Sequence, residues 1–151
     1  MIKYSLVAIA VMILAPVVFA AAFLFGRPLI HPPPLMLRHV TAGGGSTDIC
    51  PPRDEQAARW RRGSPEALSP ELDQRLAQQF PPGSQGPMLF QSLMAQGFEQ
   101  LPACETDSSI HKAMYKGPAA FLADILAVVY WKTNDDNAIV WTKGVASLDS
   151  L

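Results

Sequence analysis

Ser5 to Gly26, SLVAIAVMILAPVVFAAAFLFG, runs for 22 residues without a charged side chain, held between Lys3 and Arg27. As a helix rising about 1.5 Å per residue it would measure about 33 Å, enough to cross the hydrocarbon core of a bilayer. The stretch therefore predicts either a retained membrane anchor over 1–27 or a cleaved secretory signal. For cleavage, Met1 to Lys3 is a short basic head, and small-residue sites at Val18-Phe19-Ala20 and Ala20-Ala21-Ala22 lie just after Pro16. Against it, the apolar run continues through Ala21 to Phe25, and a cut would leave Phe23, Leu24 and Phe25 bare at a new terminus. Retention is the reading adopted, since proline is tolerated in a spanning helix. Attachment through a lipidated cysteine is excluded, because no Cys lies near the end of the run.

The flanking charges, the amino terminus and Lys3 against Arg27 and Arg38, do not decide orientation. A short basic head before an apolar core is the arrangement that exports the polypeptide behind it. The expectation is thus a single-pass protein of a bacterial inner membrane, in contact with the bilayer through residues 5–26, with its remaining 125 residues outside the cytoplasm. A soluble periplasmic or secreted domain released by signal cleavage is the alternative.

Residues 28–52 read as a linker. Pro28 and Pro32-Pro33-Pro34 favour an extended polyproline spacer, and Gly43-Gly44-Gly45-Ser46 loosens it. Cys50 and Cys104 are the chain's two cysteines, separated by 53 residues. In an oxidising compartment they are a candidate disulfide, for which loop closure predicts about 4 kcal/mol of stabilisation; two free thiols are the alternative. With 12 basic residues against 13 acidic, the chain carries no basic footprint for nucleic acid.

The remaining segment, 53–151, reads as one small α+β domain. Asp54 to Arg62 has acids at its start and arginines at its end, as a helix dipole prefers. Ser69-Pro70 opens a second helix with Leu72, Leu76 and Phe80 on one stripe, and Pro81-Pro82-Gly83 ends it. A third runs from after Ser84 to about Gln96, with Leu89, Phe90, Leu93 and Met94 on one face and Gly97 as its left-handed stop. Ile110 to Lys116 alternates as a strand that Gly117-Pro118 should end, while 118–124 is left open between loop and helical turn. ILAVVYWKT (125–133) and AIVWTKG (138–144) flank Asn134-Asp135-Asp136-Asn137 and predict a hairpin. A symmetric turn places Trp131 opposite Val140 and Tyr130 opposite Trp141. Val129, Trp131 and Val140 then pack on the helices. Tyr130, Lys132, Trp141 and Lys143 share the other face, the candidate partner surface; lysine stems covering a half-buried aromatic pair are the alternative reading.

The order of Phe-Pro-Pro-Gly-Ser (80–84), a helix, Gly97-Phe98 and a β-meander carrying Tyr130-Trp131-Lys132 resembles the small SmpA/BamE-type α+β modules of bacterial envelopes. The resemblance, over about residues 80–144, implies two helices on a three-stranded antiparallel sheet and a role in docking to other envelope proteins. The family's lipid-attached cysteine is absent here.

Chemistry is not signalled. There is no phosphate loop or G-x-S-x-G elbow, and His31, His39 and His111 are too scattered to hold a metal. Cys104, Glu105, Asp107 and His111 are the densest cluster, the basis of a Cys/His-dependent enzyme as a further alternative. The fold expected is α+β: an N-terminal transmembrane helix, then two or three helices on a small antiparallel meander ending in a hairpin. The function expected is a protein-binding or scaffolding module without cofactor or metal, its partner an envelope protein.

Overall fold

The computed structural model of the chain describes residues 33–63, 65–120 and 123–150. In chain order these form a 3₁₀ turn (Leu35–Leu37), helices α1 (Glu55–Arg62), α2 (Pro70–Gln79) and α3 (Gly86–Ala95), and strands β1 (Glu99–Leu101), β2 (Ile110–Ala120), β3 (Ala123–Thr133) and β4 (Ile139–Ser150). The strands make one antiparallel sheet in the order β1-β2-β3-β4. This is the α+β meander that the sequence predicts, with a further short strand at the β2 edge.

The transmembrane helix is a correction. Among the described residues no helix is long and apolar enough to cross a membrane. The longest, α2 and α3, have ten residues each, about 15 Å of rise. The stretch 5–26 lies outside the described residues.

A second correction concerns 28–52. The compact unit begins at Pro33, so 33–52 belongs to the fold. Met36 and Leu37 are buried beside Leu72, Leu76 and Ile125, and the Met36 amide donates to Gln96 Oε1 at 2.8 Å. Arg75 Nη1 donates to the Met36 carbonyl at 2.7 Å. Two large apolar side chains placed after three prolines outweigh the spacer composition, because each fully buried one is worth about 1.5–3 kcal/mol.

The helices begin and stop where the sequence places them. Asp54 caps α1, accepting from the Ala57 amide at 2.8 Å. Pro70 sits in the first turn of α2, and Leu72 and Leu76 are wholly buried. Gly97 adopts φ 84°, the left-handed geometry that closes α3, and the Phe98 amide returns to the Leu93 carbonyl at 3.1 Å. Phe98 then packs its ring 5.6 Å from that of Tyr115.

The sheet departs from the sequence reading in length and register. β2 does not stop at Gly117-Pro118; it pairs with β3 out to Ala120. Proline is tolerated there because β1 covers only Lys112 to Met114, leaving Pro118 at the sheet's edge. In the β3–β4 hairpin Trp131 faces Thr142 and Tyr130 faces Lys143, two residues from the predicted pairing. The cause is a pair of single-residue offsets. Asn137 takes φ 58° and the Asn134 amide bonds to the Ala138 carbonyl at 3.0 Å, closing a three-residue loop. Val140 is then the extra residue between the pairs Thr133–Ile139 and Lys132–Trp141. The two single-residue offsets add to an even shift, so Tyr130, Lys132, Trp141 and Lys143 keep the predicted common face. Val140, expected to pack on the helices with Val129 and Trp131, is a correction: as the bulged residue it is 47% exposed, and Ile139 is buried on the helix side instead.

One face of the sheet carries Ala113, Ile125, Ala127, Val129, Trp131 and Ala146 against Leu72, Leu76, Leu89 and Leu93. The other carries Ile110, Val128, Tyr130 and Val145. α2 crosses β4 at Gly144, where a Cβ would lie 2.3 Å from Leu72 Cγ.

Candidate functional site

The predicted partner face is covered by the chain itself. Residues 46–50 run across it as a strap: the Tyr130 hydroxyl donates to the Thr47 carbonyl at 2.8 Å, and Ile49 and Cys50 pack on its apolar cluster. A disulfide joins Cys50 to Cys104, as the sequence proposes. Arg61 on α1 donates to the Cys50 carbonyl and lies 3.5 Å from Asp48.

The four residues of that face have separate settings. Tyr130 is 2% exposed, and burial pushes its phenol up to about 12. Lys132 Nζ is 2.9 Å from Asp107 Oδ2, and Lys143 Nζ is 3.0 Å from Glu66 Oε2. Trp141 is half-buried against the same cluster and lines a shallow depression with Ile49, Glu66 and Asp73. Asp107 is held down to about 2, first by the Ser109 hydroxyl at 2.5 Å and then by Lys132. The strap thus takes the Tyr130 hydroxyl, and two ion pairs engage Lys132 and Lys143.

The Cys104–His111 cluster is not assembled. Cys104 has its sulfur in the disulfide and packs with Ile110 and Tyr130. His111 lies on the opposite face, stacked on Trp131 with centroids 5.5 Å apart, its Nε2 3.3 Å from Thr133 Oγ1. Among the described residues no group of three or more His, Cys, Asp or Glu is gathered for a metal.

His111 instead belongs to a cleft of about 220 Å³ between the sheet and the start of α3. α3 contributes Gly86, Pro87 and Phe90, β1 contributes Gln100, β3 contributes Trp131 and Thr133, and the hairpin turn contributes Asn137. Its geometry is set by a pinned helix start. The Gly86 amide donates to the Asn137 carbonyl at 2.8 Å, and the Ile139 amide donates to the Ser84 carbonyl at 2.7 Å, stitching α3 to the hairpin. A Cβ on Gly86 would fall 2.8 Å from Thr133 Cγ2, so glycine sets this close approach.

The cleft was not visible in the sequence, because its lining comes from five elements, α3, β1, β2, β3 and the hairpin turn, whose proximity depends on the hairpin register. The signals that bear on it were the Ser84-Gln85-Gly86-Pro87 helix entry and the isolated His111. Its lining holds no carboxylate, lysine or arginine: the walls are apolar at Phe90, Pro87 and Trp131, with amide and hydroxyl groups at Gln100, Asn137 and Thr133.

Comparison of the chain with protein-family models, with curated proteins and with solved structures finds no match in any of the three.

Proposed function

We propose that the chain is an exported, protein-binding module of a bacterial envelope, carried out of the cytoplasm by its apolar N-terminal stretch. The observation that carries this reading is the Cys50–Cys104 disulfide, which fastens the 46–50 strap over one face of the sheet. A bond of that kind forms and persists in oxidising compartments, and the uncharged run of 22 residues behind Lys3 supplies the route there. With Tyr130 covered by the strap and much of the other sheet face by the helices, the cleft beside β1 is the surface this reading favours for recognition. Its side chains suit non-covalent contact. The resemblance to SmpA/BamE-type modules, which act by docking, agrees with this role.

The test uses cells making the full chain. Protease added to spheroplasts should digest the 33–151 unit, and an amine-reactive crosslinker should join the chain to a discrete envelope protein identified by mass spectrometry. Protection behind the cytoplasmic membrane refutes export, and a chain that is never crosslinked refutes the binding role. The mass of the mature protein separates a retained N-terminal stretch from a cleaved one.

A further inference from the structure

β1 has a backbone edge that the fold leaves open. The Cys104 amide donates to the Ile110 carbonyl at 3.0 Å and the Ile110 amide to the Asp107 carbonyl at 3.1 Å, while the Thr133 amide bonds to the Ser109 carbonyl at 3.1 Å. Even-numbered residues at this end of β2 therefore turn their peptide groups toward β1, and odd-numbered ones toward β3. Lys112 and Met114 face Leu101 and Glu99 in the register. The peptide groups of Glu99 and Leu101 are consequently spent on β2, and those of Gln100 point away from the sheet. No hydrogen bond to the Gln100 N–H or C=O is found among the described residues.

The side chain of Gln100 shares the helix-side face with its partner Ala113, and so it lines the cleft with Phe90 and His111. An open donor and acceptor lie on the same residue that borders an apolar recess. Sites for drug-sized molecules run to about 300–1,000 Å³. At about 220 Å³ this one is sized for a single side chain. The charge nearby in sequence is acidic. Asp135 and Asp136 immediately precede the lining residue Asn137, Glu99 precedes Gln100, and none of these carboxylates takes an ion pair among the described residues.

From these features we infer that β1 and the adjoining cleft bind an extended segment of a partner protein, one bearing an aromatic side chain next to lysine or arginine. The segment adds to the sheet as a fifth strand through the Gln100 N–H and C=O, in the manner of strand addition at an exposed sheet edge. Its aromatic side chain enters between Phe90 and His111, and its cation lies toward the Asp135-Asp136 turn. This site rests on the protein-binding role proposed above and gives that role an address.

The experiment pans a phage-displayed library of random heptapeptides against the full chain held in detergent micelles, then measures binding of the synthetic consensus peptide. The expected consensus carries Phe, Tyr or Trp within two residues of Lys or Arg. Gln100→Pro should weaken the consensus peptide at least tenfold while leaving the urea midpoint in place, because the lost N–H is not part of the β1–β2 ladder. N-methylation of the peptide's central amides should weaken it equally on the unchanged protein, which separates a lost strand pairing from a damaged β1. Asp135→Asn with Asp136→Asn should cost about threefold or more and flatten the salt dependence. No enriched consensus, a consensus without an aromatic, or full affinity for Gln100→Pro and for the N-methylated peptide overturns the site. A cellular crosslink that maps to another face of the chain overturns this site alone, whereas the absence of any crosslinked partner removes the role on which it rests.

Discussion

Replacing both Cys50 and Cys104 by alanine removes the bond that holds the 46–50 strap to the sheet. The two cysteines are 54 positions apart, and the loop-entropy relation for a closed ring of that length gives about 14 cal/mol/K, or about 4 kcal/mol at 25 °C. The strap's own contacts do not make up such a loss. The Tyr130 hydroxyl bond to Thr47 is worth about 1 kcal/mol, and ordering each backbone residue costs about 1–2 kcal/mol. The variant should therefore lose about 4 kcal/mol in urea unfolding with little change in slope, and its strap should detach before the sheet melts. Detachment has an independent optical sign: with the strap gone, the Tyr130 phenol loses its burial, and its titration near 295 nm should move down from about 12 toward 10.0. A loss below about 1 kcal/mol together with an unmoved Tyr130 titration would mean that the disulfide is not what holds the strap down.

The fold makes further commitments. Gly144→Ala drives a Cβ to 2.3 Å from Leu72 Cγ and should cost about 1–3 kcal/mol in thermal or urea unfolding, more than Gly44→Ala, which meets nothing within 4 Å. Tyr130 has its pKa raised in the folded protein, so the stability of its neutral form is fully present below pH 10.0 and is lost as pH rises through about 12. Tyr130→Phe should remove that alkaline loss in unfolding midpoints measured from pH 9 to 12. Asp107 has the opposite sign: its carboxylate is depressed from 3.8 to about 2, so its contribution is present above pH 3.8 and disappears as pH falls toward 2. Asp107→Asn should flatten the acid side of the stability curve over that window. Trp60 is 76% exposed on α1, and Trp60→Ala should change the unfolding free energy by no more than about 0.5 kcal/mol.

Much of the fold was legible from local chemistry. Ser69-Pro70 opens α2, Gly97 closes α3 with a positive φ, and the alternation of ILAVVYWKT separates Val129 and Trp131 from Tyr130 and Lys132. Each of these signals is complete within a few residues of chain. What was illegible depends on distant partners. Leu35-Met36-Leu37 looks like spacer until Gln96, Arg75 and the buried Leu72 and Leu76 are placed around it. Pro118 reads as a strand end until β1 proves too short to need its missing N–H. The hairpin's pairing moved by two because Asn137 and Val140 each add an offset, and a symmetric turn contains neither. The same holds for function. Cys50 and Cys104 could be proposed as a pair from their number, whereas the strap they fasten over Tyr130 and the cleft around His111 require the assembled sheet.

The proposed export rests on Cys50 and Cys104 being joined, the bond that fastens the 46–50 strap. The direct measurement traps thiols in intact cells with acid, then treats the denatured full-length protein with a maleimide polymer before and after reduction. A joined pair gives no change in mobility before reductant and the addition of two polymer chains after it. Two chains added without reductant would show Cys50 and Cys104 to be free thiols in the cell, and the proposed export, with the covalent fastening of the strap, would lose its support.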